Sequence, residues 1–228
     1  MYHGLLGGGA PHLERQQFAE QLQQLASSGH SVGPLEQQPQ VALTFDDGYR
    51  DLLEVAVPIL EALRWQATVF LTCDGLNQQQ PQHMPPKPLL DWDGARQLVK
   101  LGWEVGCHSW THRDLTRIPP GDWRREVIDS KEHLQQQLGV PVESFAPPLG
   151  RFPRRLNSML AANYQRAVGT RLGRCQPDSD RYELPRIEMW YYRSPQQWRR
   201  FLQGRGESYL RWRRWLRAIR YRLQGGSP

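Results

Sequence analysis

The sequence predicts an α/β fold, a single domain built on a parallel sheet or a (β/α) barrel with a basic amphipathic helix at its C-terminal end. Three observations carry this. From residue 41 onward, short apolar runs alternate with stretches of helical period, an order that lays helices over parallel strands. A chain of 228 residues is long enough for one sizeable core. The unbalanced charge is confined to the end: residues 205–228 hold seven arginines and one glutamate, the whole of the net charge of +6, while residues 1–204 balance at 22 basic and 22 acidic side chains. We therefore divide the chain into a main domain over 1–204 and a tail over 205–228.

Residues 7–9 are all glycine and lead into an expected helix over 12–26 that closes on Gly29. Strands are expected over 41–45, 67–72, 103–107, 144–147, 166–170 and 184–189. Helices are expected over 51–63, 91–101, 122–138, 154–164 and 195–202, with Asp91 and Ser194 placed as N-terminal caps and Pro195 suited to a first helical turn. Residues 77–89, rich in Gln and Pro and without periodicity, read as a lid or rim loop.

Composition excludes several classes. A mean hydropathy of -0.69 and the lack of any apolar run near the roughly 20 residues needed to span a bilayer argue against an integral membrane protein. Three cysteines, Cys73, Cys107 and Cys175, are too few and too scattered for a disulfide framework. The first residues lack the basic start and apolar run of a secretory signal, so a cytoplasmic location is expected.

The chemistry gathers at predicted strand ends, where parallel α/β folds place their sites. VALTFDDGYRD (41–51) puts Asp46 and Asp47 side by side after a strand, and WEVGC (103–107) runs into His108-Ser-Trp-Thr-His112. A lone Asp-Asp-Gly is an ordinary surface turn, and a lone pair of histidines is often solvated. Their joint occurrence behind two strands points to a shared site. The four-residue spacing would put both imidazoles on one face of a helical turn, and two His with one carboxylate and an open position is a common recipe for a hydrolytic zinc site. If Asp47 binds the metal, Asp46 can remain an ionised base, and the adjacent acids divide the work.

LTFDDGY (43–49), ATVFL (67–71), GWEVGCHSWTHRDL (102–115), LGVPVESFAPPLG (138–150) and LPRIEM (184–189) together resemble the polysaccharide deacetylases of the NodB-homology, carbohydrate esterase 4 family. The resemblance implies a distorted (β/α) barrel and a Zn²⁺-type site, or one for another divalent transition metal, that removes acetyl groups from N-acetylated sugars. It implies Asp46 as catalytic base, Asp47, His108 and His112 as metal ligands, and the backbone N–H of Leu149, beside Pro148, as oxyanion donor. Two departures stand out. Ala146 occupies the place of an arginine that braces the base in many members, for which Arg186 is the candidate substitute. No C-terminal histidine can serve as general acid, and Tyr2-His3 resembles the N-terminal strand of a permuted branch acting on poly-N-acetylglucosamine, which assigns that role to His3. Trp110, between the metal ligands, is the tryptophan chosen to stack on a sugar.

In the tail, residues 209–223 place Trp212, Trp215, Leu216, Ile219 and Leu223 on one helical face, the pattern of an interfacial membrane helix. The alternative is that this face packs on the main domain with the arginines solvated. The expected partners are an N-acetylated glycan and, through 209–223, the anionic inner face of a membrane; nucleic acid is not expected. An amidohydrolase on a non-sugar amide and a catalytically weakened glycan-binding protein remain open alternatives.

Overall fold

The structure, a computed structural model, describes residues 1–7 and 10–223. The end of the expected tail, residues 224–228, lies outside the described residues.

Strands β1 (Val32–Gly33) and β2 (Val41–Ala42) form a small parallel pair, and six further strands form one parallel sheet. In spatial as in chain order these are β3 (Thr44–Phe45), β4 (Thr68–Leu71), β5 (Glu104–Cys107), β6 (Ser144–Phe145), β7 (Arg166–Leu172) and β8 (Leu184–Arg186). The sheet curls, and residues 1–3 fill the gap between its edges. Tyr2 bridges to Phe45 in parallel, donating its N–H to Thr44 O (2.8 Å), and Asp46 N–H donates to Tyr2 O (3.0 Å). On the other side Met189 N–H donates to Met1 O (3.1 Å). The distorted barrel is thereby closed by the N-terminal segment, which satisfies backbone groups that two exposed edges would otherwise leave unpaired.

The expected strand over 41–45 is two strands. Val41 pairs with Val32 on one partner and Thr44 with Thr68 on the other, so the chain changes sheets at Leu43. Apolar patterning cannot register such a switch, because the run is apolar on both sides of Leu43 although β2 is only half-buried and β3 fully so.

Helices α1 (Arg15–Ala26), α2 (Val57–Leu63), α3 (Cys73–Leu76), α4 (Trp92–Lys100), α5 (Ser130–Leu138), α6 (Asn157–Asn163), α7 (Pro195–Leu202) and α8 (Glu207–Leu223) complete the fold. Asp91 caps α4 by accepting from Gly94 N–H (2.8 Å), whereas Ser194 makes no such bond at the start of α7. Two expected helices begin with π turns, Leu52–Ala56 ahead of α2 and Arg124–Asp129 ahead of α5. Such turns add a residue without altering the apolar period enough to be read, and they recur at functional sites. No helix among the described residues is long and apolar enough to cross a membrane.

Under the site lies an aromatic cluster that joins the closing segment to the sheet. Tyr2 stacks on Phe45 (5.3 Å between centroids) and meets Phe18 of α1 edge-on (5.0 Å), and Phe45 packs on Trp103 (5.4 Å). At the opposite end of the barrel, buried Glu104 accepts from Thr68 Oγ1 (2.7 Å), Ser144 Oγ (2.5 Å) and Glu36 N–H (2.9 Å), so the polar plug there is satisfied. Phe18 is fully buried. Phe18→Ala should therefore cost about 3–5 kcal/mol of stability in a urea titration; a loss below about 1 kcal/mol would contradict this account of the closure.

Candidate active site

Asp46 and Asp47 follow β3, and His108 follows β5, so the site sits at the C-terminal strand ends. Asp47 takes a left-handed conformation (φ 75°), as does Gly48 after it (φ 74°), and this reversal points two neighbouring carboxylates at different partners. A Cβ on Gly48 would lie 2.6 Å from Leu71 Cδ2, so the turn also requires a residue without one.

Asp47 Oδ1 lies 3.3 Å from His108 Nε2 and 3.4 Å from His112 Nε2, all three side chains being buried. The other imidazole nitrogens face backbone carbonyls, His108 Nδ1 on Ala146 O and His112 Nδ1 on Gln82 O, each at 2.6 Å. A carbonyl oxygen only accepts, so each Nδ1 must donate, and in the neutral rings both Nε2 atoms turn lone pairs toward a carboxylate. With both rings neutral, three electron-pair donors converge with no proton among them. The two carboxylate–imidazole spacings of 3.3 and 3.4 Å also match the edge of a tetrahedron whose bonds are about 2.0–2.1 Å. The residues fit a divalent metal ion, and Asp47, His108 and His112 form the metal-type cluster among the described residues.

Without a cation, a proton takes its place between Asp47 and His108. Burial pushes the Asp47 carboxyl up, but its bonds to His108 and His112 more than offset this and hold it well below the usual range. Burial lowers His108, while its bond to Asp47 and the neighbouring carboxylate charges carry it above the ordinary histidine value. Asp46 is likewise raised by burial and then brought below the usual range by the Arg186 charge.

The structure places Arg186 of β8 directly on Asp46. Its Nη1 and Nη2 donate to Oδ1 (2.6 Å) and Oδ2 (2.7 Å), and its Nε donates to Gly169 O (2.8 Å). This two-pronged, buried contact fixes the plane of the carboxylate. The side chain of Ala146 is buried, and its carbonyl orients His108.

His3, delivered by the closing segment, sits between two acids. Its Nε2 is 4.0 Å from Asp46 Oδ2, and its Nδ1 is 3.7 Å from Glu188 Oε2. Glu188 was not singled out from the sequence, although it lies two residues beyond Arg186, the spacing that returns a strand to one face. Buried Asp51 also went unnoticed. It accepts from Leu5 N–H (2.6 Å) and Leu6 N–H (3.2 Å), and His12 Nδ1 accepts from Gly4 N–H (3.0 Å), so the segment carrying His3 is tied down just beyond it.

The His108–His112 segment is not the helical turn its spacing predicts. It is an irregular loop with Ser109 and His112 in left-handed conformations (φ 69° and 60°). Fully buried Glu126 holds it there, accepting from Trp110 N–H (3.1 Å), Thr111 N–H (3.0 Å) and Thr111 Oγ1 (2.8 Å), while Ser109 Oγ accepts from His112 N–H (3.0 Å). The loop over 77–89 is more than a rim: through Gln82 it supplies the carbonyl that orients a metal-type ligand. Trp110 is half-buried, its ring stacked on His133 (5.1 Å) and 5.2 Å from the Arg125 guanidinium. Leu149 is left-handed (φ 59°) and half-buried in the tight Pro148–Gly150 turn, beside buried Pro148. Of the non-glycine residues with positive φ, Asp47, Ser109, His112 and Leu149 all belong to this constellation, which is where folded chains retain backbone strain.

A curled parallel barrel with an Asp-His-His cluster at its strand ends defines a metal-site α/β class of protein, and comparison with known proteins narrows it. The polysaccharide deacetylase family model matches residues 36–168. The chain is 23% identical over 202 residues to the putative polysaccharide deacetylase YxkH of Bacillus subtilis, covering 83% of this chain and 70% of that one. It is 28% identical over 114 residues to a peptidoglycan-N-acetylglucosamine deacetylase of Bacillus cereus, covering 49% of this chain and 36% of the relative. Among solved structures, Streptococcus pyogenes deacetylase PplD in complex with acetate superposes with a TM-score of 0.71 at 24% identity, over 82% of this chain and 89% of that one. IcaB from Ammonifex degensii superposes with a TM-score of 0.72 at 19% identity, over 90% and 94%. The chain belongs to the polysaccharide deacetylase family, of the NodB-homology, carbohydrate esterase 4 type.

Glu126→Gln keeps the shape of the side chain but removes its charge and one acceptor oxygen. We expect metal affinity about ten-fold or more weaker in competition with a chromophoric chelator; unchanged affinity would mean that the loop holds its ligands without Glu126.

Proposed function

We propose that the protein is a metal-dependent hydrolase that removes N-acetyl groups from an N-acetylated sugar or polysaccharide. The observation that carries this reading is the placement of an Arg186-paired carboxylate, Asp46, immediately beside the converging Asp47, His108 and His112 donors in a member of this family. Two imidazoles and a carboxylate suit Zn²⁺ or another divalent transition metal. Held there, such an ion would supply Lewis-acid polarisation of the amide carbonyl and of the attacking water.

The chain's own groups do the rest. Asp46, kept ionised by Arg186, accepts the proton of the attacking water. His3, across from Asp46 and backed by Glu188, donates a proton to the departing amine. The Leu149 N–H, in the turn beside Pro148, donates to the oxygen on which negative charge develops. The pairing of Asp46 favours this reading over a weakened glycan-binding protein, because a buried two-pronged arginine is a costly arrangement for an acid with no use for its charge.

Acetate release from N-acetylglucosamine oligomers tests the proposal. Release should fall about 10²- to 10⁴-fold in Asp46→Asn, and it should vanish with chelation and return with zinc. Undiminished release by Asp46→Asn would sink the assignment. The Arg186 charge lowers the Asp46 pKa, so removing it in Arg186→Met raises that pKa, and the acid limb of the pH–rate profile should move to higher pH. A limb that stays in place would show that Asp46 is not the titrating base.

A further inference from the structure

The two tryptophans of the apolar stripe of α8 face away from the protein. Around the helix, Trp212, Trp215, Leu216, Ile219 and Leu223 fall within an arc of roughly 100°. The contacts with the body come from a different arc. Leu210 is buried, Tyr209 Oη donates to Tyr191 O (2.9 Å), and the Arg213 guanidinium lies 4.0 Å over the Tyr191 ring. The centres of the two arcs are roughly 120° apart. Trp212 and Trp215 are accordingly 51% and 60% exposed, two of the three large apolar side chains left open to solvent among the described residues. The alternative raised by the sequence, that this stripe packs on the main domain, does not hold at either indole.

We propose that α8 is an in-plane anchor that seats the protein on an anionic lipid bilayer, a surface role that goes beyond the hydrolytic reading and does not rest on it. Two features select lipid. The first is charge complementarity: all seven arginines of residues 205–228 lie in or just before α8, opposed by Glu207 alone. Arg211 is exposed and borders the stripe on the side away from Tyr191, as a cation reaching toward headgroups would. The second is the pair of exposed indoles, side chains suited to the boundary between acyl chains and headgroups. A second copy of the chain fits poorly, because pairing α8 with itself would bring its arginines against each other. Nucleic acid would use the charge and leave the indoles without a role. Seventeen residues span roughly 26 Å as a helix, short of the hydrocarbon core, and the arginines exclude insertion across it.

The position of α8 also suits a substrate presented at a membrane. Its first turns share a cavity of about 330 Å³ with Arg171 and Arg174, and Arg174 pairs with Glu207 (3.0 Å). Arg171 and Arg174 lie at the C-terminal end of β7, the end of the sheet that carries Asp46, Asp47 and His108.

The test is flotation of the full chain with vesicles of neutral phosphatidylcholine alone or mixed with phosphatidylglycerol. Its readout is binding, so its failure and that of the hydrolytic reading are distinguishable. The wild type should float with the anionic vesicles, weakly or not at all with the neutral ones, and less as salt is raised. Trp212→Ser combined with Trp215→Ser should weaken binding more than ten-fold, and Arg211→Gln alone on the order of five-fold. These side chains are exposed, so unchanged circular dichroism and unfolding midpoints check that the variants fold. Absence of flotation with anionic vesicles, or equal flotation of the tryptophan variant, would overturn the proposal. It would equally be overturned by a lipid-free dimer that the tryptophan variant dissociates, or by binding to duplex DNA, in either case without vesicle binding.

Discussion

The structure turns on one electrostatic constraint: Asp47 Oδ1 lies 3.3 and 3.4 Å from the Nε2 atoms of His108 and His112, three buried electron-pair donors whose protons, with the rings neutral, are directed elsewhere. The carbonyls of Ala146 and Gln82 create that constraint by claiming the Nδ1 protons. Much of the surrounding architecture keeps it in force. β6 delivers Ala146, the loop over 77–89 delivers Gln82, and Glu126 holds the loop between the histidines in a conformation its sequence would not otherwise favour. A cluster of this kind is costly when empty, and a cation resolves it.

The adjacent acids are explained by the same constraint. Side by side on the chain, Asp46 and Asp47 would repel, but each is given a positive or proton-donating environment of its own. Asp46 turns to the guanidinium of Arg186 from the far edge of the sheet, and Asp47, through its left-handed backbone, turns to the histidines after β5. Closure of the barrel by residues 1–3 is what lets the first requirement be met. It brings the two sheet edges into register and places His3 between Asp46 and Glu188 in the same step.

Much of this was legible in the sequence, and what was not has physical causes. The parallel order, the strand ends and the convergence of Asp46, Asp47, His108 and His112 follow from patterning and spacing, and the family from its motifs. Pro195–Leu202 and the Asp91-capped helix announce themselves by local chemistry. The switch of sheets at Leu43 is invisible because apolar residues read alike on either side of it. The irregular loop from His108 to His112 mimics a helical spacing, and only a distant acid, Glu126, reveals otherwise. Glu126 itself reads as one more charged residue in WRREVIDSKEHL. The carbonyls of Gln82 and Ala146 are backbone atoms, and no side chain advertises them.

The most direct test of the account is the metal content of the purified full-length protein after zinc reconstitution and exhaustive dialysis, measured by inductively coupled plasma mass spectrometry beside His112→Ala. The account predicts about one equivalent per chain in the wild type and its loss in the variant. No stoichiometric metal in the wild type, or equal metal in both, would contradict the claim that these converging lone pairs exist to hold a cation.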